Sequence, residues 1–330
     1  MTDFIQNDDS APGAFFYRAL LLIFVAILAA HTASAQDDDV VRIDTELVSF
    51  EVTVTDKHGK IVPNLKPEDF RLLEDGVDHP IDFFQPIKKN DKGRRPLTVV
   101  FALDVSGSMT EPEIDRLRSA MQVFISRLAD YDSYFAVVSF AMEVRTLQTF
   151  TNQKERLERS FEKLVRDQGG LSTHAYDAVD DSIRLISRKS PKALKGRMPK
   201  RAVILVTDGF PVGDVVSPDT LIERANQAET SIYSVILPSF SRLQTDKRPV
   251  ITPLEASGII NETGGKSFYA TDKSFDALFQ ALAEDITASY AIAVYPDTDA
   301  KKSGDKTRKV TIQSRNGYTI RQNRNEYKVK

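Results

Sequence analysis

The chain has 330 residues, of which 41% are hydrophobic and 28% are charged, so it is long enough for about two globular domains. Its 44 basic and 47 acidic side chains give a formal net charge of -3, which favours neither nucleic acid nor an anionic membrane as the main partner. It contains no cysteine, and this excludes disulfides, thiolate metal sites, cysteine nucleophiles and a lipoprotein anchor.

The N-terminal residues have the pattern of a secretory signal peptide. Arg18 precedes an apolar run at residues 19–30, and residues 33–35 read Ala-Ser-Ala, which fits the small-residue rule for cleavage. The run is shorter than the ~20 residues that span a bilayer. We therefore predict a signal peptide at residues 1–35, an exported protein that is periplasmic or secreted, and no membrane span in the mature chain. The alternative is an uncleaved N-terminal membrane anchor.

Alternating apolar and polar residues predict a β-module at residues 36–92. The alternation is clearest at residues 46–55, where it has the period of a half-buried strand. Residues 70–73 and 80–87, with a turn between them, predict two more strands. A module of this size without disulfides needs additional strands or a neighbouring domain to be stable.

From residue 96 the pattern changes to strands that alternate with helices. This alternation implies right-handed crossovers and an α/β fold, with a Rossmann-like, doubly wound and mostly parallel sheet. Thr110 and Glu113 have the spacing of a capping box before the first helix. The predicted strands lie at 97–103, 134–140, 202–206, 232–237 and 267–269, and the predicted helices at 114–128, 154–165, 175–188, 221–228, 253–263 and 275–287.

The C-terminal residues 290–330 return to the strand pattern. Strands are predicted at 290–295, 308–313 and 318–321. We predict that these strands complete the N-terminal β-module as a small all-β, sandwich-like unit. The α/β domain at residues 96–289 would then be inserted between the two parts of this unit.

Polar side chains follow the first strand of the predicted sheet. Residues 101–109 read FALDVSGSM, so Asp104 stands where the strand ends, and the hydroxyls of Ser106 and Ser108 follow at alternate positions. Gly107 permits a tight bend between them. Ligands of open parallel sheets bind outside the carboxyl ends of the strands, which is where these oxygens are expected.

Two further polar residues are expected at the same edge. Asp208 follows the strand at 202–206, and Thr173 directly precedes a predicted helix. Together with the first loop they offer only oxygen ligands, which suit Mg2+, Mn2+ or Ca2+ rather than zinc. The sequence therefore predicts a site for one divalent cation.

These residues resemble the metal-ion-dependent adhesion site of the von Willebrand factor type A (vWA) domain, written Asp-x-Ser-x-Ser with a distant Thr and a distant Asp. The resemblance covers residues 96–295 and includes the Thr-Gly-Gly at 263–265, and the flanks resemble the acidobacterial von Willebrand factor A related proteins. It implies one bound Mg2+, with Mn2+ or Ca2+ as alternatives. The implied metal ligands are Asp104, Ser106, Ser108, Thr173 and Asp208, and the implied ligand rim is Gly107, Met109, His174, Gly209 and Phe210.

The resemblance also implies a non-catalytic binding protein. The cation would keep one exchangeable position, which an Asp or Glu of a protein partner can fill. Nucleic acid is not expected as a partner, because the basic run at residues 188–201 lacks aromatic side chains that stack on bases. In some relatives a shift of the last helix, here 275–287, tunes affinity, so we expect coupling to the β-module. The alternative is a scaffold whose β-module carries the interaction, with the metal only stabilising loops.

An enzyme is the other function class that the sequence must be tested against. Haloacid-dehalogenase-like phosphatases place an Asp nucleophile where Asp104 stands, but they need a second Asp two residues later, and this chain has Ser106 there. The chain contains neither a G-x-S-x-G elbow nor a G-x-G-x-x-G motif. We find no carboxylate spaced to orient His174, and we expect this residue only to shape the rim. No catalytic residue is predicted.

Overall fold

The computed structural model describes residues 47–86, 96–107, 110–128, 132–167, 172–194, 199–237, 251–270, 275–296 and 307–328. The predicted signal peptide, Ser108 and Met109 lie outside these residues. In chain order the strands and helices are β1 (Val48–Thr55), β2 (Phe70–Glu74), β3 (Val77–His79), β4 (Phe83–Gln85), β5 (Leu97–Asp104), α1 (Glu111–Leu128), β6 (Tyr134–Phe140), β7 (Val144–Thr151), α2 (Lys154–Glu162), α3 (Ala175–Lys189), β8 (Lys200–Thr207), α4 (Pro218–Gln227), β9 (Thr230–Ile236), α5 (Pro253–Ala256), β10 (Ser267–Tyr269), α6 (Phe275–Thr287), β11 (Ser289–Val294), β12 (Thr307–Ser314), β13 (Thr319–Gln322) and β14 (Glu326–Lys328).

The central sheet has the strand order β10-β9-β8-β5-β6-β7, and every pair is parallel except β6 with β7. All residues of β5 and β9 are buried, as strands covered on both faces must be. Phe101 points into a core with α1, α2 and α6, whereas Val100 points into a second core with α3, α4 and α5. The predicted Rossmann-like, doubly wound α/β fold is confirmed.

Several elements differ from the sequence predictions. Strand β7 was not predicted, because its antiparallel pairing with β6 contains register shifts and most of its residues are only partly buried. The helix predicted at 253–263 is the single turn α5, since Gly258 adopts φ +80 two residues after its end. Lys200, near the end of the basic run at residues 188–201, begins β8 and is buried, with its Nζ 3.3 Å from the hydroxyl of Tyr233.

The β-module, here β1–β4 with β11–β14, consists of two four-stranded sheets of order β13-β1-β11-β4 and β14-β12-β2-β3. Each sheet combines strands from before and after the α/β domain, since β1 pairs antiparallel with β11 and β2 with β12. Phe50, Phe70 and Tyr290 belong to the core of this unit. The β-module built from both chain ends is therefore confirmed. The limits predicted for the domains, 36–92, 96–289 and 290–330, stay predictions.

The turn predicted after Leu73 does join two strands, but its second strand is β3 rather than the predicted 80–87. Residues 80–82 leave that hairpin, and β4 pairs with β11 in the other sheet. Pro80 provides the physical reason, because proline lacks the N–H that a continued ladder needs.

The buried side chain of Tyr290 forms hydrogen bonds with a loop of the β-module. Its ring is completely buried, and its hydroxyl donates to the carbonyl of Val62 (2.7 Å) and accepts from the N–H of Leu65 (3.1 Å). We expect Tyr290→Phe to lower the free energy of unfolding by about 2 kcal/mol, because both backbone groups lose their partner. Urea denaturation measures this change. The exposed Tyr295 offers the control Tyr295→Phe, and equal midpoints for the two variants would contradict the expectation.

The Thr-Gly-Gly at residues 263–265 allows close backbone contacts beside β9. Thr263 accepts a hydrogen bond from the N–H of Ile232 (3.0 Å). A Cβ on Gly265 would lie 1.7 Å from the carbonyl oxygen of Ile232, and a Cβ on Gly264 would lie 2.4 Å from the Cα of Asn323. Only glycine fits at these two positions, so the motif serves packing between β9 and the segment after β13 rather than ligand binding.

Candidate metal centre

Asp104 is the last residue of β5, and its side chain is completely buried. Its Oδ1 accepts a hydrogen bond from the N–H of Ser106 (2.9 Å), and its Oδ2 accepts one from the hydroxyl of Thr207 (2.8 Å). The pKa of Asp104 is raised to about 6, mainly by burial and in small part by the negative charge of Asp208, although these hydrogen bonds lower it. A carboxylate held in this way is stabilised by any cation placed beside it.

The loop after β5 is fixed by contacts with the segment that follows α2. The N–H of Asp167 donates to the carbonyl of Val105 (2.7 Å), and the guanidinium of Arg166 donates to the carbonyl of Gly107. Ser106 is almost completely buried between these contacts. The start of the Asp-x-Ser-x-Ser motif is therefore held by one backbone contact and one side-chain contact from the segment after α2.

Asp208 follows β8 at the same edge of the sheet, since Leu103 pairs with Val206 in the parallel ladder. Its Oδ1 accepts a hydrogen bond from the N–H of Phe210 (3.1 Å), which closes a tight turn. Gly209, inside that turn, has φ +86, and a Cβ there would lie 2.8 Å from the side chain of Thr252. Glycine is required at this position. By the register of the ladder, Asp208 stands one residue beyond the level of Asp104.

Thr173 reaches the same edge through the loop before α3. Its backbone N–H donates to the carbonyl of Val212, and its carbonyl accepts from the N–H of Val212, both at 3.0 Å. Its side chain is largely buried. The next residue, His174, donates its N–H to the carbonyl of Ala141 (3.0 Å). Thr173 thus lies between the loop that follows Asp208 and the loop that follows β6.

The N-terminus of α3 is capped by a residue from another loop. His174 occupies the N-cap position, and its side chain makes no capping hydrogen bond. Asp214 caps the helix instead, because its Oδ1 accepts from the N–H groups of Tyr176 (2.8 Å) and Asp177 (3.0 Å). Burial raises the pKa of Asp214, and the charge of Asp177 adds to this effect.

Asp177, in the first turn of α3, binds the loop that carries Asp214. Its carboxylate accepts hydrogen bonds from the N–H groups of Val215 (3.1 Å) and Val216 (3.0 Å). Burial raises the pKa of Asp177, but the hydrogen bonds from His174 and from these two N–H groups outweigh it, so the pKa lies below its usual value. We call this reciprocal pair of contacts, made by Asp177 and Asp214, the clasp.

His174 is oriented by a carboxylate, contrary to the expectation from the sequence. Its Nδ1 lies 2.9 Å from Oδ2 of Asp177, at the i,i+3 spacing of the first helical turn. His174, Asp177 and Asp214 have ligand atoms within 4.8 Å of one another, so they could also hold a metal ion. Four backbone N–H groups bind the two carboxylates, so the cluster is a structural contact between two loops, although among the described residues Oδ2 of Asp214 is buried without a hydrogen-bond partner.

Four of the five sequence-predicted ligands lie on three loops that contact one another. Hydrogen bonding joins Asp104 to Ser106, the charge of Asp208 acts on Asp104, and Thr173 is bridged to the loop after Asp208. The donors are carboxylates and hydroxyls, which fit a hard divalent cation. Ser108, the fifth ligand, and the rim residue Met109 lie outside the described residues.

The sequence comparison identifies the α/β domain. The family model of the von Willebrand factor type A domain matches residues 98–286. The chain belongs to the vWA family. The match covers β5 to α6, and therefore all of the loops described above, whereas the strands of the β-module lie outside it.

Individual proteins resemble parts of this vWA protein. Inter-alpha-trypsin inhibitor heavy chain H4 of Sus scrofa is 27% identical over 147 residues, which are 44% of this chain and 16% of that relative, so the chain spans a small part of its length. An aerotolerance-related membrane protein of Bacteroides fragilis has a TM-score of 0.43 at 15% identity, covering 58% of this chain and 98% of that one. Proximal thread matrix protein 1 of the mussel byssus has a TM-score of 0.46 at 15% identity, covering 62% and 49%.

Sequence reasoning missed three side chains that shape the site. The hydroxyl of Thr207 donates to Asp104. Its position could have indicated this role, because Thr207 is the polar residue that ends the apolar strand directly before Asp208. Asp177 lies in the first turn of the helix predicted at 175–188, but its contacts with the loop after Asp208 were not predicted. Asp214 gave no signal, because it is one acidic residue in a loop, 37 positions from the N–H of Asp177 that it caps.

Proposed function

We propose that this vWA protein binds one divalent cation through Asp104, Ser106, Ser108, Thr173 and Asp208. The observation that carries the proposal is the completely buried carboxylate of Asp104, whose pKa is raised and whose neighbour is a second carboxylate. In the part of the chain that the structure describes, neither Asp104 nor Asp208 forms an ion pair with a basic side chain. A cation would supply the missing positive charge.

The bound cation would be used to hold an acidic side chain of a protein partner. Neutral hydroxyls from Ser106, Ser108 and Thr173 would leave the ion with unneutralised charge, and a carboxylate of the partner would complete its coordination. The all-oxygen ligand set favours Mg2+, with Mn2+ and Ca2+ as alternatives. The fixed loops support this role, because a preformed site loses less freedom when it binds.

The same burial supports a non-catalytic role. A nucleophilic carboxylate must reach its substrate, whereas Asp104 is completely covered and both of its oxygens accept hydrogen bonds. The position that would supply a general acid is Ser106, which is itself buried.

The vWA protein is proposed to work outside the cytoplasm. Among the described residues no helix is both long and apolar enough to cross a membrane.

Calorimetric titration of Mg2+ tests the proposal. We expect saturable binding by the wild-type protein and no detectable binding by Asp208→Ala, because the site loses one of its two carboxylates. Asp219→Ala is the matched control, since Asp219 lies in the exposed first turn of α4, and it should bind as the wild type does. Equal binding by wild type and Asp208→Ala would refute the proposed site. Binding of a protein partner that persists in EDTA would favour the scaffold alternative, in which the β-module carries the interaction.

A further inference from the structure

Five large apolar side chains are exposed on the loops around the candidate metal site. These residues, which we call the apolar rim, account for five of the nine large apolar side chains that are exposed among the described residues. Soluble proteins expose single apolar side chains routinely, but a group of them at one edge indicates an interaction surface. The apolar rim consists of Met142 (52% exposed), Val165 (69%), Val212 (51%), Val215 (88%) and Ile251 (71%).

Two members of the apolar rim lie on the loop after Asp208. Val212 is the residue whose backbone pairs with Thr173 in both directions. The N–H of Val215 donates to Asp177, so the backbone of this loop is fixed while both side chains stay exposed. An ordered loop that directs two valines to solvent beside proposed metal ligands is suited to contact whatever reaches the metal.

The other three members stand next to residues that contact the same loops. Met142 follows Ala141, whose carbonyl accepts from the N–H of His174. Val165 is two residues before Asp167, which binds the loop after β5. Ile251 precedes Thr252, whose side chain lies against Gly209. The apolar rim therefore has members on, or next to, each of the loops that carry or contact Asp104, Thr173 and Asp208.

An exposed ion pair borders the apolar rim at Met142. Glu143 and Arg145 form an exposed ion pair (2.8 Å) next to Met142, where the β6–β7 hairpin turns away. In protein interfaces, apolar side chains around a central polar contact exclude water from it. Exclusion of water strengthens the attraction between a cation and a carboxylate.

We propose that the apolar rim selects the partner: a protein segment whose acidic side chain is flanked by large apolar side chains. This inference rests on the proposed function, because it needs the cation to bind the acid. A partner rich in charge or in small polar residues would leave the apolar rim in contact with polar groups, and it would gain only the cation–carboxylate contact. A segment with apolar flanks gains both contacts.

A phage-displayed random peptide library tests the inference. The full-length wild-type protein is loaded with Mg2+, and peptides are recovered by elution with EDTA. We expect an acidic residue in the recovered peptides and an enrichment of large apolar residues beside it. The double variant Met142→Ser, Val215→Ser keeps the backbone, and we expect it to recover acidic peptides without the apolar enrichment. It should bind the best wild-type peptide about tenfold more weakly or worse.

The control variant is Val77→Ser, which removes an exposed valine of the β-module and should leave selection unchanged. Unaltered urea midpoints would establish that each variant is folded. EDTA-eluted acidic peptides without apolar neighbours would overturn the inference and leave the proposed function intact. A complete absence of EDTA-sensitive peptides would overturn the proposed function and this inference with it.

Discussion

Replacing Asp104 with Asn is expected to stabilise the metal-free vWA protein at neutral pH and to abolish its stabilisation by Mg2+. The amide has the shape of the carboxylate and keeps an oxygen for the N–H of Ser106, and the hydroxyl of Thr207 can accept instead of donate. The variant no longer holds a buried negative charge. It also lacks a ligand charge that the cation needs, so binding should be lost.

The gain in stability depends on pH in a defined direction. The pKa of Asp104 is about 6 in the folded chain and about 3.9 when unfolded, so the group favours folding at acidic pH and this contribution is lost as the pH rises through 6. The difference corresponds to about 3 kcal/mol at neutral pH. Wild type and Asp104→Asn should therefore unfold with similar free energies below about pH 4 and diverge between about pH 4 and pH 6. Above pH 6 the variant should be more stable by a constant amount.

Urea denaturation at a series of pH values, with EDTA or with Mg2+, measures both effects. At Mg2+ concentrations of about a hundred times the dissociation constant, the wild type should gain about 2.7 kcal/mol, and Asp104→Asn should gain nothing. The control is Asp208→Asn, which should also lose the Mg2+ effect but keep the pH dependence. Its transition should move to lower pH, because the charge of Asp208 helps to raise the pKa of Asp104. A metal-free wild type whose stability relative to Asp104→Asn does not change with pH would contradict the assignment.

The sequence predicts those features of the fold that depend on short-range patterns. The apolar strands β5 and β8, the helices between them and the strand-end position of Asp104 follow from periodicity alone. Strand β7 does not, because it is an edge strand with irregular pairing and half-exposed residues. Pairing of β1 with β11 joins residues about 240 positions apart, and the sequence supports it only through the instability of a small isolated module.

The same limit applies to the site. Asp104, Ser106, Thr173 and Asp208 are predictable because a family pattern records them, and the structure places them on contacting loops. The clasp was not predictable, since the partners of Asp177 and Asp214 are backbone N–H groups, which leave no trace in the sequence. The solvent exposure of Val212 and Val215 could not be predicted either, because the sequence does not indicate whether an apolar side chain in a loop is buried or exposed.

Asp177→Ala is expected both to destabilise the fold and to weaken metal binding, although Asp177 is not a proposed ligand. The change removes the acceptor for the N–H groups of Val215 and Val216 and for the ring of His174. Hydrogen bonds to a charged acceptor contribute about 1.5 to 3 kcal/mol each, but Asp177 is partly exposed, so we expect a loss of about 3 kcal/mol in all. Urea denaturation in EDTA measures this loss without any contribution from the metal.

The expected loss of affinity follows from what the clasp holds in place. It joins the N-terminus of α3, directly after Thr173, to the loop that begins at Asp208, so its loss lets two proposed ligands move independently. Removal of a residue that positions a metal ligand typically lowers metal affinity by about 10- to 100-fold. Calorimetric titration should therefore show weaker Mg2+ binding by Asp177→Ala at a temperature where the variant is fully folded.

Two further variants separate positioning from a general effect of charge. Asp181→Ala removes an exposed carboxylate one turn later on α3, and it should change neither the stability nor the affinity. Asp214→Asn keeps an acceptor oxygen for the N–H groups of Tyr176 and Asp177, so it should preserve most of both properties. If Asp181→Ala weakened Mg2+ binding as much as Asp177→Ala does, long-range charge would explain the result and the clasp would have no positioning role. Weak binding by Asp177→Ala alone would show that two loops must be fastened together before their oxygens can share one cation.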